Sequence, residues 1–210
     1  MDKQAFLQQI KQALKNDLPG KKAHQLMSPL NRPLDIDSIP NLASYKHSSV
    51  AILFFENGRT IDFILIQRPE YEGNHSGQIS FPGGKSELTD INEEFTARRE
   101  TFEEIGVPLT EHLMIGQLSD VFIPVSKFIV RPFMFWLDET PSFVPDAREV
   151  AEIFTVPIIH LLEESNVKRT TIKLGNGISM KNVPYFDLND KIVWGATALV
   201  LSELKEILRT

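Results

Sequence analysis

Cysteine is absent from this chain of 210 residues. Disulfides, thiolate nucleophiles, cysteine-ligated zinc and iron–sulfur clusters are therefore excluded. Long apolar runs are absent as well. The longest mainly apolar uncharged stretch, IVWGATALVLS (192–202), falls well short of the roughly 20 residues that span a bilayer. The opening residues, MDKQAFLQQIKQALKNDLPG, hold no apolar run of signal-peptide length. Together these absences point to a cytoplasmic protein. Positive charge is in deficit: 22 Lys and Arg face 28 Asp and Glu, for a net charge of −6. Neither nucleic acid nor an acidic membrane surface is expected as a partner. An anionic substrate would need a local cation, either a basic side chain or a bound metal.

What is present reads as a mixed α/β chain. Its hydrophobic share of 42% suits a soluble domain with one sizeable core. Phe6, Leu7, Ile10 and Leu14 recur at helical spacing, and Leu18-Pro19-Gly20 ends that helix. Residues 20–46 are rich in Pro, Ser and Asn and read as an extended arm. VAILFFE (50–56) has the look of a buried strand, Asn57-Gly58 of a hairpin turn, and TIDFILIQR (60–68) of the returning strand. FPGGK (81–85) reads as a turn. A capping box with Asp90 as N-cap and Glu93 reaching back would start a helix near residue 91, and Gly106 would close it. Strand-like runs follow at 112–124, 127–137, 148–158 and 183–188, and a terminal helix at 192–208. Strands joined mostly by turns indicate a mixed sheet rather than alternating βα units.

One stretch breaks local rules. In ARRETFEEIGV (97–107), Glu100, Glu103 and Glu104 project within an arc of roughly 100° on the predicted helix. Glu100 and Glu104 form a like-charged i,i+4 pair. Glu103 and Glu104 also sit at the helix end where the dipole is negative. Two explanations stand. The face is simply solvated, with Arg98 and Arg99 as partial neutralisers. Or the carboxylates converge on a hard cation such as Mg²⁺ or Mn²⁺, which removes the repulsion. The glycine-rich turn just upstream favours the cation, because it lets a backbone carbonyl approach with no side chain in the way.

The segment GGKSELTDINEEFTARRETFEEIGV resembles a Nudix box, and Arg99-Glu100-Thr101-Phe102-Glu103-Glu104-Ile105-Gly106-Val107 matches its core throughout. Asp90 stands at the box's first acidic position, and eight residues separate it from Arg99-Glu100. That longer spacing resembles the coenzyme A pyrophosphatase branch of the family. So does ILIQRPEYEGNHSGQISFPGG (64–84), in which Arg68, Gly77, Phe81, Pro82, Gly83 and Gly84 fall in register. Ile66, Pro69 and Gly73 depart from the branch, Gly73 standing where it has an arginine. GQLSDVFIPVSKFIVRPF (116–133), REVAEIFTVP (148–157) and PYF…VWGATA (184–198) extend the likeness over roughly residues 48–208.

The resemblance implies a Nudix α/β/α sandwich, a mixed sheet between helices. It divides the chain into an N-terminal helix and arm, 1–46, with a use in homodimerisation, and a hydrolase domain, 47–210. Glu100 and Glu104 would be the principal ligands of Mg²⁺ or Mn²⁺, with Glu103 and the Gly84 carbonyl nearby. Arg99 would hold a box carboxylate in place. The general base would be a box glutamate, for which Glu103 is the candidate, or an outside acid: Glu149 first, Glu152 second. If 148–158 is a strand, those two face opposite sides and at most one reaches the metal. Arg68 would bind a substrate phosphate or form a structural ion pair. Gly77 belongs to the upstream signature. Phe81 and Phe128 would stack on an adenine or pack in the core, and Ser126, beside Phe128, would contact substrate or be no more than a turn residue. His75 lies in the polar loop before the box. The implied activity is cleavage of coenzyme A, or a derivative, to phosphopantetheine and adenosine bisphosphate. ADP-ribose, dinucleotides and nucleoside triphosphates are alternative substrates, and a non-catalytic nucleotide-sensing module is the alternative of another class.

Overall fold

In a computed structural model, residues 2–29, 44–70, 76–124, 126–173 and 177–209 are described. The chain begins with α1 (Lys3–Ala13) and α2 (Lys21–Leu26), then the hairpin of β1 (Lys46–Asn57) and β2 (Thr60–Gln67). The short strands β3 (Ile79–Ser80) and β4 (Gly83–Lys85) lead into α3 (Glu93–Ile105). Next come β5 (Met114–Gln117), β6 (Val121–Ile123), β7 (Phe128–Trp136), β8 (Glu152–Pro157) and α4 (Ile158–Leu162). The chain closes with β9 (Val167–Lys173), β10 (Ser179–Leu188), β11 (Lys191–Val193) and α5 (Gly195–Ile207).

β1 is the axis of the main sheet, whose order is β3-β2-β1-β7-β5 with β4, β6 and β8 attached to β1, β7 and β2. Its run of branched and aromatic residues suits a strand buried on both faces. The hairpin falls where expected, but its two-residue loop is Gly58-Arg59, one residue later than the Asn57-Gly58 expected: Gly58 is left-handed (φ 65°), and Asn57 is the last residue of β1, opposite Thr60 of β2. On its other side β1 runs parallel to β7, which makes the sheet mixed.

Side chains alternate along β1, so the sheet feeds two cores. Ile52 and Phe54 join Phe63, Met134 and Trp136 on one face, under α1 and α5. Ala51, Leu53 and Phe55 join Ile64, Ile66 and Phe135 on the other, under Ala97 and Ile105 of α3. The α/β/α sandwich is therefore present. Phe6 of α1 is fully buried, its ring 4.9 Å from that of Phe54 and 5.9 Å from that of Trp136. Thus the apolar stripe of the first helix is covered by the chain's own sheet.

Several expectations need correction. Within 20–46, residues 21–26 form α2 rather than extended chain. Long-range contacts hold it: Ser202 Oγ donates to the Ala23 carbonyl at 2.7 Å, and the fully buried Glu203 accepts from the Gly20 amide at 3.0 Å. The N-cap of α3 is Asn92, whose side chain accepts from the Phe95 amide at 2.7 Å; Asp90 is drawn off by Arg99. Glu93 bonds His47 and Arg131 instead of reaching back. FPGGK is not wholly a turn, since Gly83–Lys85 pair with Ser48–Val50 of β1. The strand expected from 148 starts at Glu152, and the terminal helix starts at Gly195, its first expected residues lying in β11. The left-handed close of α3 at Gly106 (φ 72°) is as expected. The positions Gly73 and His75 lie outside the described residues. No helix among the described residues is long and apolar enough to cross a membrane.

Candidate metal centre

Carboxylate oxygens of Glu100, Glu104 and Glu149 lie within 4.8 Å of one another. Two come from α3, one turn apart, and face the sheet. The third arrives from a turn that is stitched to the end of the same helix. The Val144 amide donates to the Ile105 carbonyl and the Asp146 amide to the Glu104 carbonyl, each at 2.9 Å. The Ala151 amide then bonds the Gln67 carbonyl of β2 at 2.8 Å. Glu149 sits between these clamps, in a turn and not in a strand. The alternation argument for Glu149 and Glu152 therefore does not apply. Glu152 is paired with Lys191 at 2.7 Å, away from the cluster.

The glycine pair makes room for this arrangement. Gly83 has φ 145°, and a Cβ there would fall 2.3 Å from the Ser49 carbonyl oxygen. Its amide donates to Glu104 Oε2 at 2.8 Å. A Cβ on Gly84 would fall 2.2 Å from Glu100 Oε2 and 2.6 Å from Oε1. Only a residue without a side chain lets the Glu100 carboxylate rest on this strand.

Burial pushes the Glu104 carboxyl up to about 8; the Gly83 amide and Arg68 oppose the rise, while the charges of Glu100 and Glu149 add to it. The side chain is 1% exposed. Burial also raises the Glu100 carboxyl, against the pull of Arg99. Acids in this condition are costly as anions unless a cation joins them. An all-oxygen donor set with a glycine-lined approach fits a hard divalent ion of the Mg²⁺ or Mn²⁺ kind.

Arg99 organises the helix face. Its Nε and Nη2 bond both oxygens of Asp90 at 2.9 Å, Nη2 also bonds the Lys85 carbonyl at 3.1 Å, and Nη1 reaches Glu100 at 2.9 Å and Glu103 at 3.0 Å. A guanidinium has five N–H donors, and these contacts occupy all of them. Asp90, held far below the usual carboxylate range by that fork, is thus the anchor of Arg99 rather than a helix cap. The sequence places an acid there but does not say what it holds.

The remaining expected site residues separate into groups. Arg68 is part-exposed, 3.8 Å from Glu104, and its amide bonds the Gln78 carbonyl. Gly77 (φ 64°) closes the loop beside it, donating to the Pro69 carbonyl. Glu103 is 54% exposed, held by Arg99, and outside the converging three. Phe81 is 2% exposed and packs by Phe63 in the α1/α5 core, so its ring is closed to a base. Phe128 packs against that same core, opposite the α3 face, with the Lys46 amine 5.7 Å from its ring centre. Ser126 lies two residues before it, in the turn that leads into β7. The structure does not bring Phe81, Ser126 or Phe128 to the carboxylates. Two contributors escaped sequence reading: the Gly83 amide and the Val144–Asp146 stitch. The neighbouring Pro-Gly-Gly signals the first; nothing local signals the second.

Comparison with known proteins settles the family. The NUDIX domain model matches residues 45–174. The chain belongs to the Nudix family. Relatives of this Nudix chain include the human "Mitochondrial coenzyme A diphosphatase NUDT8", 36% identical over 130 residues, 61% of this chain and 54% of that protein. The Caenorhabditis elegans "Peroxisomal coenzyme A diphosphatase ndx-8" is 30% identical over 141 residues, covering 65% of this chain and 60% of that protein. The chain thus spans little more than half the length of the human relative. The expected likeness to the coenzyme A pyrophosphatase branch holds. Among solved structures, the NUDIX domain of Shewanella oneidensis NrtR, complexed with ADP ribose, superposes with a TM-score of 0.55 at 14% identity, covering 82% of this chain and 96% of that one. The MutT protein from Methanosarcina mazei Go1 gives 0.52 at 19% identity, covering 79% and 96%. At such identities these two attest the Nudix fold alone.

Proposed function

We propose that this Nudix chain hydrolyses the diphosphate bond of coenzyme A, or of a coenzyme A derivative, in a reaction that depends on Mg²⁺ or Mn²⁺. The observation that carries the proposal is the convergence of Glu100, Glu104 and Glu149 within 4.8 Å against Gly84. The names of the human and worm relatives support the substrate. A divalent ion supplies charge neutralisation at the phosphoryl oxygens and an acidified water when it is bound.

Glu100 and Glu104 hold that ion, with the Gly84 carbonyl beside them. Glu149 is the exposed member of the group and takes the proton from the attacking water. Arg99 touches no substrate; it fixes the direction of Glu100 and Glu103. Arg68 borders the cluster and can offer its guanidinium to a phosphate oxygen.

The test is a parallel assay of the purified chain with Mn²⁺ or Mg²⁺ against coenzyme A, ADP-ribose, a dinucleotide and a nucleoside triphosphate. Chelator-sensitive release of phosphopantetheine from coenzyme A is the expected result. Turnover of ADP-ribose with coenzyme A inert would refute the substrate and keep the chemistry. A chain that binds nucleotides tightly but cleaves none, with Glu103→Gln binding equally well, would point to a sensor instead.

A further inference from the structure

Ser49 is fully buried, yet its hydroxyl has no hydrogen-bond partner among the described residues. Such a group costs about 1–3 kcal/mol where it stays unpaired, so its persistence calls for an account. Its place in the sheet supplies one. Ser49 lies opposite Gly84 on one side and opposite Arg131 on the other. It has the same alternation as Ala51, Leu53 and Phe55, whose side chains fill the α3-side core. Cross-strand neighbours on one face have Cβ positions about 5 Å apart. The Cβ position of Gly84 is where Glu100 lies, with Oε2 the nearer oxygen and Oε1 already bonded by Arg99. The Arg131 guanidinium, the other neighbour, is committed to Asp120 and Glu93.

We propose that Ser49 is a positioning residue for Glu100: its hydroxyl donates to the Glu100 carboxylate when a divalent ion is bound, and thereby aims that ligand at the ion. The inference rests on the metal-site reading above and adds to it a donor from the sheet beneath the helix. Groups that orient metal ligands in this way often change affinity by about 10-fold or more when removed.

The experiment pairs Mn²⁺ affinity, by electron paramagnetic resonance titration, with melting temperature in chelator. Ser49→Ala is expected to bind Mn²⁺ on the order of tenfold more weakly. In chelator it melts at the same temperature as wild type or higher, because an unpaired buried hydroxyl has been removed. In a Glu100→Ala background the serine substitution has no further effect on affinity. Ser49→Ala binding Mn²⁺ as tightly as wild type overturns the inference while leaving the metal site intact. An alanine variant that fails to fold, or melts lower in chelator, overturns it too, since the hydroxyl would then be a structural bond. Wild type that binds no Mn²⁺ refutes both this inference and the reading it rests on.

Discussion

Gly84 decides how closely the metal-site helix can approach the sheet. Its φ is ordinary, so alanine meets no backbone strain there, and the three atoms nearest to an added Cβ all belong to the Glu100 carboxylate. Gly84→Ala should therefore fold but displace that carboxylate, lowering Mn²⁺ affinity and turnover by on the order of 100-fold. Calorimetric titration and an activity assay check this, and near-wild-type affinity would contradict the packing described. Gly83 differs, because the added Cβ would strike main-chain atoms of Ser49 and Val50. The glutamates carry a signal legible in sequence, since three of them break helix rules at once. What each does is not legible. Glu104 is buried, Glu100 is part-covered and Glu103 is mostly exposed, although all three share one arc. The difference is set by how the sheet meets the helix, which spacing alone does not encode.

At the scale of elements, local signals served where the element is local. The β1–β2 hairpin follows from Gly58, left-handed in its two-residue loop, and the end of α3 from Gly106. They failed where partners are distant. β4 is a strand only because β1 pairs with it, and α2 is helical where Glu203 and Ser202 receive it. The cap of α3 moved from Asp90 to Asn92 because Arg99, nine residues on, competes for the aspartate. α1 offers a direct test of element packing. Phe6 is 0% exposed between Phe54 and Trp136. Phe6→Ala should cost about 3–5 kcal/mol of stability, measured by urea unfolding, with the metal site unaltered in the protein that remains folded. A cost below about 1 kcal/mol would mean that α1 is a loosely held appendage.

For the whole molecule, stability and acidity are coupled through Glu104, and the proposed metal would enter the same balance. Its carboxyl is raised from 4.5 to about 8, so between those values the folded chain holds a proton that the unfolded chain has lost. The stability this provides is complete below about 4.5 and is lost as the pH climbs through about 8. A divalent ion competes for the same oxygens, so its stabilising effect grows over that window. Urea midpoints in chelator and in Mn²⁺, compared at about pH 6 and about pH 8.5, should show a wider gap at the higher pH. An equal gap at both would mean that the ion and this proton do not compete.

The stitch between residues 144–146 and the carbonyls of Glu104 and Ile105 also bears on motion. The three acids come from segments some 45 positions apart in the chain, and the turn that carries Glu149 is fastened to this helix at one end and, through Ala151 and Gln67, to β2 at the other. A slide of the helix against the sheet would therefore pull on both moorings of that turn at once, so the gap between the acids and their height above the glycine strand are restrained by the same few main-chain bonds.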